Sequence, residues 1–172
     1  MHSQKSIDLF KAYGEKYDFE YLMLAALAYQ ESRLDQTLKS KVGAVGVMQI
    51  LPATASDKNV NISGIHKLDS NIHAGTKYLR FLADRYFPED GELDSMNRVF
   101  FTFASYNAGP ARVAKLRREA KKMGLNPNVW FNNVEVVAAK RIGRETVQYV
   151  SNILKYYVAY KLVADKIHKP SA

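Results

Sequence analysis

The run 21–29, YLMLAALAY, is the most apolar stretch of the chain, and it stops at one carboxylate, Glu31, followed by Ser32. A helix apolar on nearly every face is buried on nearly every face. Such a helix has little reason to end on Glu, because burying an unpaired carboxylate costs on the order of several kcal/mol. Either Glu31 turns out to solvent, or the fold holds it half-dry at the lip of a cleft. The second arrangement is what a general acid requires, since desolvation favours the protonated carboxyl. The residues that follow bear on the choice. Gly43, Ala44 and Gly46 lead into Val47-Met48-Gln49, a small-residue turn running into a polar-tipped apolar segment. Glycine lets backbone approach backbone or ligand closely, so this stretch reads as a cleft wall.

The rest of the chain reads as helix. Apolar and polar residues do not alternate over any sustained stretch and no Asn-Gly hairpin occurs, whereas 3.6-residue periodicity recurs. Helices are expected over 6–13, with Gly14 as the stop, and from an Asp18 cap to about Ser32. A short one follows over 52–56, opened by Pro52, and another runs from Asp69 or Ser70 to about Tyr86. Further helices are expected over 95–105, from Pro110 to Met123 with Gly124 as the stop, and over 144–167. The last carries a stripe of Tyr149, Ile153, Tyr156, Tyr160, Val163 and Ile167. Residues 35–45, 59–67 and 126–133, the last around the only tryptophan, Trp130, read as loops. With no repeat, low-complexity tract or linker, the expectation is one all-α domain over 1–172, of roughly seven helices.

A chain of 172 residues can bury the core of one domain. Its net charge of +8 favours an anionic partner: nucleic acid, a lipid surface or an acidic wall polymer. There is no cysteine, which removes disulfides and thiolate metal sites. The four histidines, His2, His66, His73 and His168, include no pair at metal-ligand spacing, which argues against zinc. The start, MHSQKS, has no apolar signal core, and no stretch reaches the ~18 apolar residues of a membrane span. The chain therefore reads as soluble, with any signal or anchor expected outside these residues.

Four short segments carry chemistry: Glu31-Ser32, Gly46-Val47-Met48-Gln49, Ser105-Tyr106-Asn107-Ala108-Gly109, and Glu145-Thr146-x-x-Tyr149-Val150. In this order and spacing they closely resemble the soluble lytic transglycosylase domain, a lysozyme-like relative of goose-type lysozyme in glycoside hydrolase family 23. The resemblance covers about 21–160. It departs from the family at Asp35-Gln36, where many members have Asn-Pro, at Val47, where Leu is common, and at Ser105, where the motif has Ala. It implies an all-α lysozyme-like fold with a substrate cleft, and Glu31 as the single catalytic acid. It further implies that Ser40, Met48, Gln49, Tyr106, Asn107, Glu145 and Tyr149 contact substrate, with the Tyr149 hydroxyl in the cleft beside Glu31. The implied partner is the peptidoglycan glycan strand, with no metal or cofactor. The implied location is the periplasm or cell envelope, and the molecule is expected to be a monomer.

The reaction implied needs one carboxyl rather than the usual two. Glu31 would protonate the glycosidic oxygen between N-acetylmuramic acid and N-acetylglucosamine. As an anion it would then take the proton of the sugar's 6-hydroxyl, which closes a 1,6-anhydro ring. Two other classes compete: a hydrolase of the same bond, in which water attacks, and a silent glycan-binding module. A basic nucleic-acid binder is disfavoured, because Lys and Arg are not interleaved with exposed aromatics.

Plainer readings stand beside the motif assignments. Glu145 in a first helical turn meets the helix dipole favourably. Tyr149 lies on a packing stripe, Met48 fills core as methionine usually does, and Gln49 caps a backbone group. Ser40 makes a local turn, and Tyr106-Asn107 ends a helix. The basic set Arg112, Lys115, Arg117, Arg118, Lys121 and Lys122 is a solvated face, or else a surface for an anionic wall polymer.

Overall fold

The computed structural model describes residues 2–168. Among them are eight α-helices and one π-helical turn: α1 (His2–Tyr17), α2 (Tyr21–Ser32), α3 (Pro52–Ser56), α4 (Leu68–Tyr86), α5 (Ser95–Ala108), α6 (Pro110–Lys122), the turn Trp130–Val134, α7 (Glu135–Ile142) and α8 (Glu145–His168). No strand occurs among the described residues, only isolated bridges joining Val45 to Lys39 and to Ile50. None of these helices is long and apolar enough to cross a membrane. The chain divides into two compact units, 1–80 with 152–172, and 81–151.

In the first unit α2 is the buried element, with Leu24, Ala26, Leu27 and Ala28 fully enclosed. Helix α1 packs along it. Gly14 does not stop α1, which continues to Tyr17. A Cβ at Gly14 would lie 2.5 Å from the Phe19 carbonyl, and the Phe19 N–H donates to the Gly14 carbonyl at 2.8 Å. This glycine is therefore a close-approach residue. Asp18, with φ 54°, turns the chain out of α1. It does not cap α2, whose N-cap position is Glu20. Tyr13 donates to Asp69, and the Tyr17 hydroxyl lies 2.6 Å from His73 Nε2, so α1 is also tied to α4. A second small core gathers Val45, Ile50, Ala55, Val60, Ile65 and Ala74. On α8, Ile153 is buried and Tyr156 meets Tyr29 edge-on at 4.8 Å. The expected stripe stops there: Val163 and Ile167 are 57% and 73% exposed.

The second unit is built on α5. Phe101 is fully buried and meets the buried Trp130 edge-to-face at 5.9 Å. Helix α5 extends to Ala108, one turn beyond the expected end. Gly109, with φ 92°, swings the chain directly into α6, whose first residue is Pro110. Tyr106-Asn107-Ala108 is therefore helix and not loop. Of the basic set on α6, Arg117 turns inward, its guanidinium 4.9 Å from the Phe101 ring centroid. It donates to the Pro127 carbonyl and Asn128 Oδ1, both at 2.9 Å, and burial pulls its pKa below the usual arginine value. Helix α7 was not expected from the sequence. Its N-cap, Val134, makes no side-chain cap bond. Its Val137 and Ala138 are fully buried, and it packs against α6. Tertiary burial makes this helix where local signals do not.

Candidate active site

Glu31 occupies the penultimate position of α2, half-buried, with Ser32 behind it 4% exposed. The Ser32 hydroxyl lies 2.8 Å from the Val47 carbonyl and 3.1 Å from the Ala28 carbonyl. One proton serves the two acceptors, so the helix end is clasped to the segment 45–49. Arg33 and Leu34, at φ 56° and 65°, then turn the chain away. Two left-handed non-glycine residues in succession stop the helix abruptly and leave Glu31 on a short, rigid stump. The Arg33 guanidinium lies over the Tyr29 ring, 4.5 Å from its centroid.

The segment 45–49 is held by side chains on three sides. Gln36 Oε1 accepts from the Val47 N–H at 3.0 Å, and its Nε2 donates to the Ile65 and His66 carbonyls. Asn71, on α4 and fully buried, accepts from the Met48 N–H at 2.9 Å and donates to the Val45 and Ile65 carbonyls, both at 2.8 Å. A Cβ at Gly46 would fall 2.3 Å from Asn71 Nδ2, so glycine there lets the amide reach in. Met48 is fully buried, and its side chain fills the space a Cβ on Gly75 would take, 2.5 Å from Sδ. Met48 is thus a packing residue beneath the segment, its N–H taken by Asn71 and its side chain enclosed. Gln49 adopts φ 46° and donates through Nε2 to the Gly46 and Leu38 carbonyls at 2.9 and 3.1 Å. Ser40 Oγ accepts from the Ala44 N–H at 3.0 Å, closing the loop 40–44. In this unit, then, Ser32, next to Glu31, bonds the segment that carries Met48 and Gln49, while Ser40 braces the adjoining loop.

In the second unit Tyr106 and Asn107 stand half-buried on the last turn of α5. Asn107 Oδ1 accepts from Thr146 Oγ1 at 2.8 Å. That bond brings the α5 motif and the α8 motif together. Tyr149, one turn further along α8, is 4% exposed, and Glu145 is the exposed first residue of that helix. Ser105, one residue before the pair, is fully buried, and its Oγ has no hydrogen-bond partner among the described residues.

The side chains that hold these positions were largely outside the sequence reading. Ser32 was noted only as Glu31's neighbour, and Thr146 only as a letter in a motif. Gln36 enters the sequence reading only as a departure from the family pattern, with no role attached, and Asn71 does not enter it. No local pattern marks Asn71, whose partners lie up to 26 positions away. Among the described residues, no group of three or more His, Cys, Asp or Glu could hold a metal ion.

Residues 8–128 match the family model described as the transglycosylase SLT domain. A membrane-bound lytic murein transglycosylase F of Desulfosudis oleivorans is 33% identical over 157 residues, covering 84% of this chain and 34% of that protein. Its counterpart in Actinobacillus pleuropneumoniae serotype 5b is 35% identical over 158 residues, covering 83% of this chain and 32% of the relative. The chain thus spans about a third of the length of these relatives. Among solved structures, the 70 kDa soluble lytic transglycosylase of Escherichia coli matches with a TM-score of 0.67 at 30% identity, over 91% of this chain and 24% of that one. An inactive mutant of the lytic transglycosylase Slt from Pseudomonas aeruginosa, at 24% identity, shares the fold with a TM-score of 0.68, over 95% of this chain and 24% of that one.

Proposed function

This chain belongs to the transglycosylase SLT domain family, and on that premise we propose that it is the catalytic part of a peptidoglycan lytic transglycosylase. Glu31 is its one acid and then its one base. The observation that carries the reading is the setting of Glu31. Glu31 is a half-buried residue at the end of an enclosed helix, and the residue behind it is bonded into the segment 45–49. A proton-transfer group works when its position varies little, since a misplacement of ~1 Å costs about a hundredfold in rate.

Glu31 starts as the neutral acid and gives its proton to the oxygen linking N-acetylmuramic acid to N-acetylglucosamine. The bond from that oxygen to the anomeric carbon breaks, leaving an oxocarbenium ion stabilised by the substrate's acetamido group or by cleft dipoles. The sugar's 6-hydroxyl then attacks the anomeric carbon and passes its proton to the Glu31 carboxylate. The product ends in 1,6-anhydro-N-acetylmuramic acid, no water is consumed, and the acid is restored. Water must be kept from the anomeric carbon, or the outcome is hydrolysis. We assign Ser40 and Gln49 to shaping the glycan-binding surface of their unit, with Met48 supporting it from beneath. Tyr106, Asn107, Glu145 and Tyr149 are assigned to glycan contacts on theirs. The names of the relatives support an envelope location.

The test is digestion of purified sacculi, with mass spectrometry of the products, for the wild type beside Glu31→Gln. Anhydro-muramyl ends from the wild type, falling by about a hundredfold or more in the variant, are expected. Reducing ends would make the protein a hydrolase. Binding without products from the wild type would make it a silent module.

A further inference from the structure

The second half of α8 turns one face into the fold and leaves the other to solvent. Ile153 is buried and Tyr156 and Tyr160 are half-buried, whereas Val158 and Leu162 are 49% and 59% exposed. Lys155, Val158, Leu162 and Asp165 are all exposed and recur at spacings of three, four and three. That is the stripe by which one helix packs along another. Read in either direction the stripe is charge, apolar, apolar, opposite charge. Turned end for end at the level of Tyr160 it matches itself, with Lys155 opposite Asp165 and Val158 opposite Leu162. Neither Lys155 nor Asp165 forms an ion pair among the described residues. The lysine one turn before Asp165, Lys161, is drawn instead to Glu20 at 3.7 Å.

We propose that this stripe is an interface for a second copy of the chain, the two α8 helices packing antiparallel about a two-fold axis. Such a contact is isologous, each copy giving and receiving the same surface. A lipid surface would take up Val158 and Leu162 only by also dehydrating Lys155 and Asp165, whereas a second copy pairs each charge with its opposite. A parallel pair would set Lys155 against Lys155 and Asp165 against Asp165, and like charges brought together repel. The contact is short, because the ten steps from Lys155 to Asp165 rise only ~15 Å. It falls below the ~1,200 Å² of a stable interface, so the dissociation constant is on the order of 100 µM. The chain is then a monomer only when dilute. Each copy carries a net charge of +8, and salt at about 0.15 M screens that repulsion beyond ~8 Å.

Sedimentation equilibrium at about 0.15 M salt tests the pairing, and a protein that stays monomeric up to about 1 mM overturns it. Lys155→Glu and Asp165→Lys are each expected to raise the dissociation constant about ten- to thirtyfold, since either places like charges at both ends of the stripe. Both changes in one chain restore opposite charges and are expected to bring the constant back to within about threefold of wild type. A double variant no better than the singles overturns the proposal, and a merely structural role for either residue would not produce the rescue. The register is tested by disulfide trapping, which is clean because the chain has no cysteine of its own. Val158→Cys mixed with Leu162→Cys is expected to form the mixed disulfide at least about fivefold faster than either variant forms its own. A predominance of the like disulfides, position 158 to 158 or 162 to 162, overturns the antiparallel arrangement.

Discussion

Asn71 is the side chain on which the wall behind Glu31 most depends, and replacing it gives a stability change that can be worked out group by group. In Asn71→Ala the Met48 N–H loses its partner at 2.9 Å while remaining buried. An orphaned buried donor costs about 1–3 kcal/mol. The two carbonyls lose less. Val45 O still accepts from the Ile50 N–H at 3.1 Å, and Ile65 O still accepts from Gln36 Nε2 at 3.1 Å. Each lost second bond is worth about 0.5–1 kcal/mol, so the total is about 3 kcal/mol, a large part of the ~5–15 kcal/mol that holds a domain folded. Asn71→Asp separates hydrogen bonding from packing, because the side-chain shape is kept. One carboxylate oxygen can still accept from Met48, but the other stands where Nδ2 donated, 2.8 Å from two carbonyl oxygens. That repulsion raises the folded-state pKa of the new carboxyl above its unfolded value of about 3.9. The Asp variant therefore keeps most stability below that value and loses it as pH rises through the folded pKa. Urea unfolding of all three proteins at about pH 7 and about pH 4.5 measures this, with unchanged m-values as the check on two-state behaviour. An Ala variant within ~1 kcal/mol of wild type, or an Asp variant whose deficit is the same at both pH values, would refute the account.

Two further substitutions probe the motif neighbours. Ser32→Ala removes the clasp between α2 and Val47; it is expected to cost about 1 kcal/mol in urea unfolding but roughly tenfold in turnover on sacculi, and full turnover would show that Glu31 needs no such anchoring. Ser105→Ala removes a buried hydroxyl that has no partner among the described residues; it is expected to raise stability by about 1 kcal/mol and Tm by ~2–4 °C, and a fall in Tm by calorimetry would contradict it.

The helical class and most helix positions were legible because 3.6-residue periodicity and proline at helix starts are local signals. The errors have local causes too. Gly14 was read as a stop by its type, whereas its job is to admit the Phe19 carbonyl. The apolar spacing of α8 continues through Val163 and Ile167, after the elements that could cover it have ended. Helix α7 carries no side-chain cap and two adjacent valines, and only its burial against α6 reveals it. Side chains that act at a distance leave no mark on their own neighbourhood: Gln36 shows in the sequence only as a departure at 35–36, although it bonds Val47, Ile65 and His66, and Asn71 does not show at all.

The motif letters divide in a way the sequence alone does not show. Within Gly46-Val47-Met48-Gln49, the glycine admits Asn71, the valine's backbone is bonded by Ser32 and Gln36, the methionine fills space over Gly75, and the glutamine side chain closes its own turn. All four positions are committed to holding the chain. Within Glu31-Ser32 the serine is committed likewise, and only the glutamate is left partly open to water. A substitution in the wall should therefore act on turnover mainly by loosening the backbone around Glu31, and so should raise the barrier and destabilise the fold together. Glu31→Gln, which keeps shape and removes only the transferable proton, should stop turnover with stability nearly unchanged. The correlation between lost stability and lost rate across wall variants, with Glu31→Gln standing off that line, is the pattern that distinguishes a positioning network from a set of direct substrate contacts.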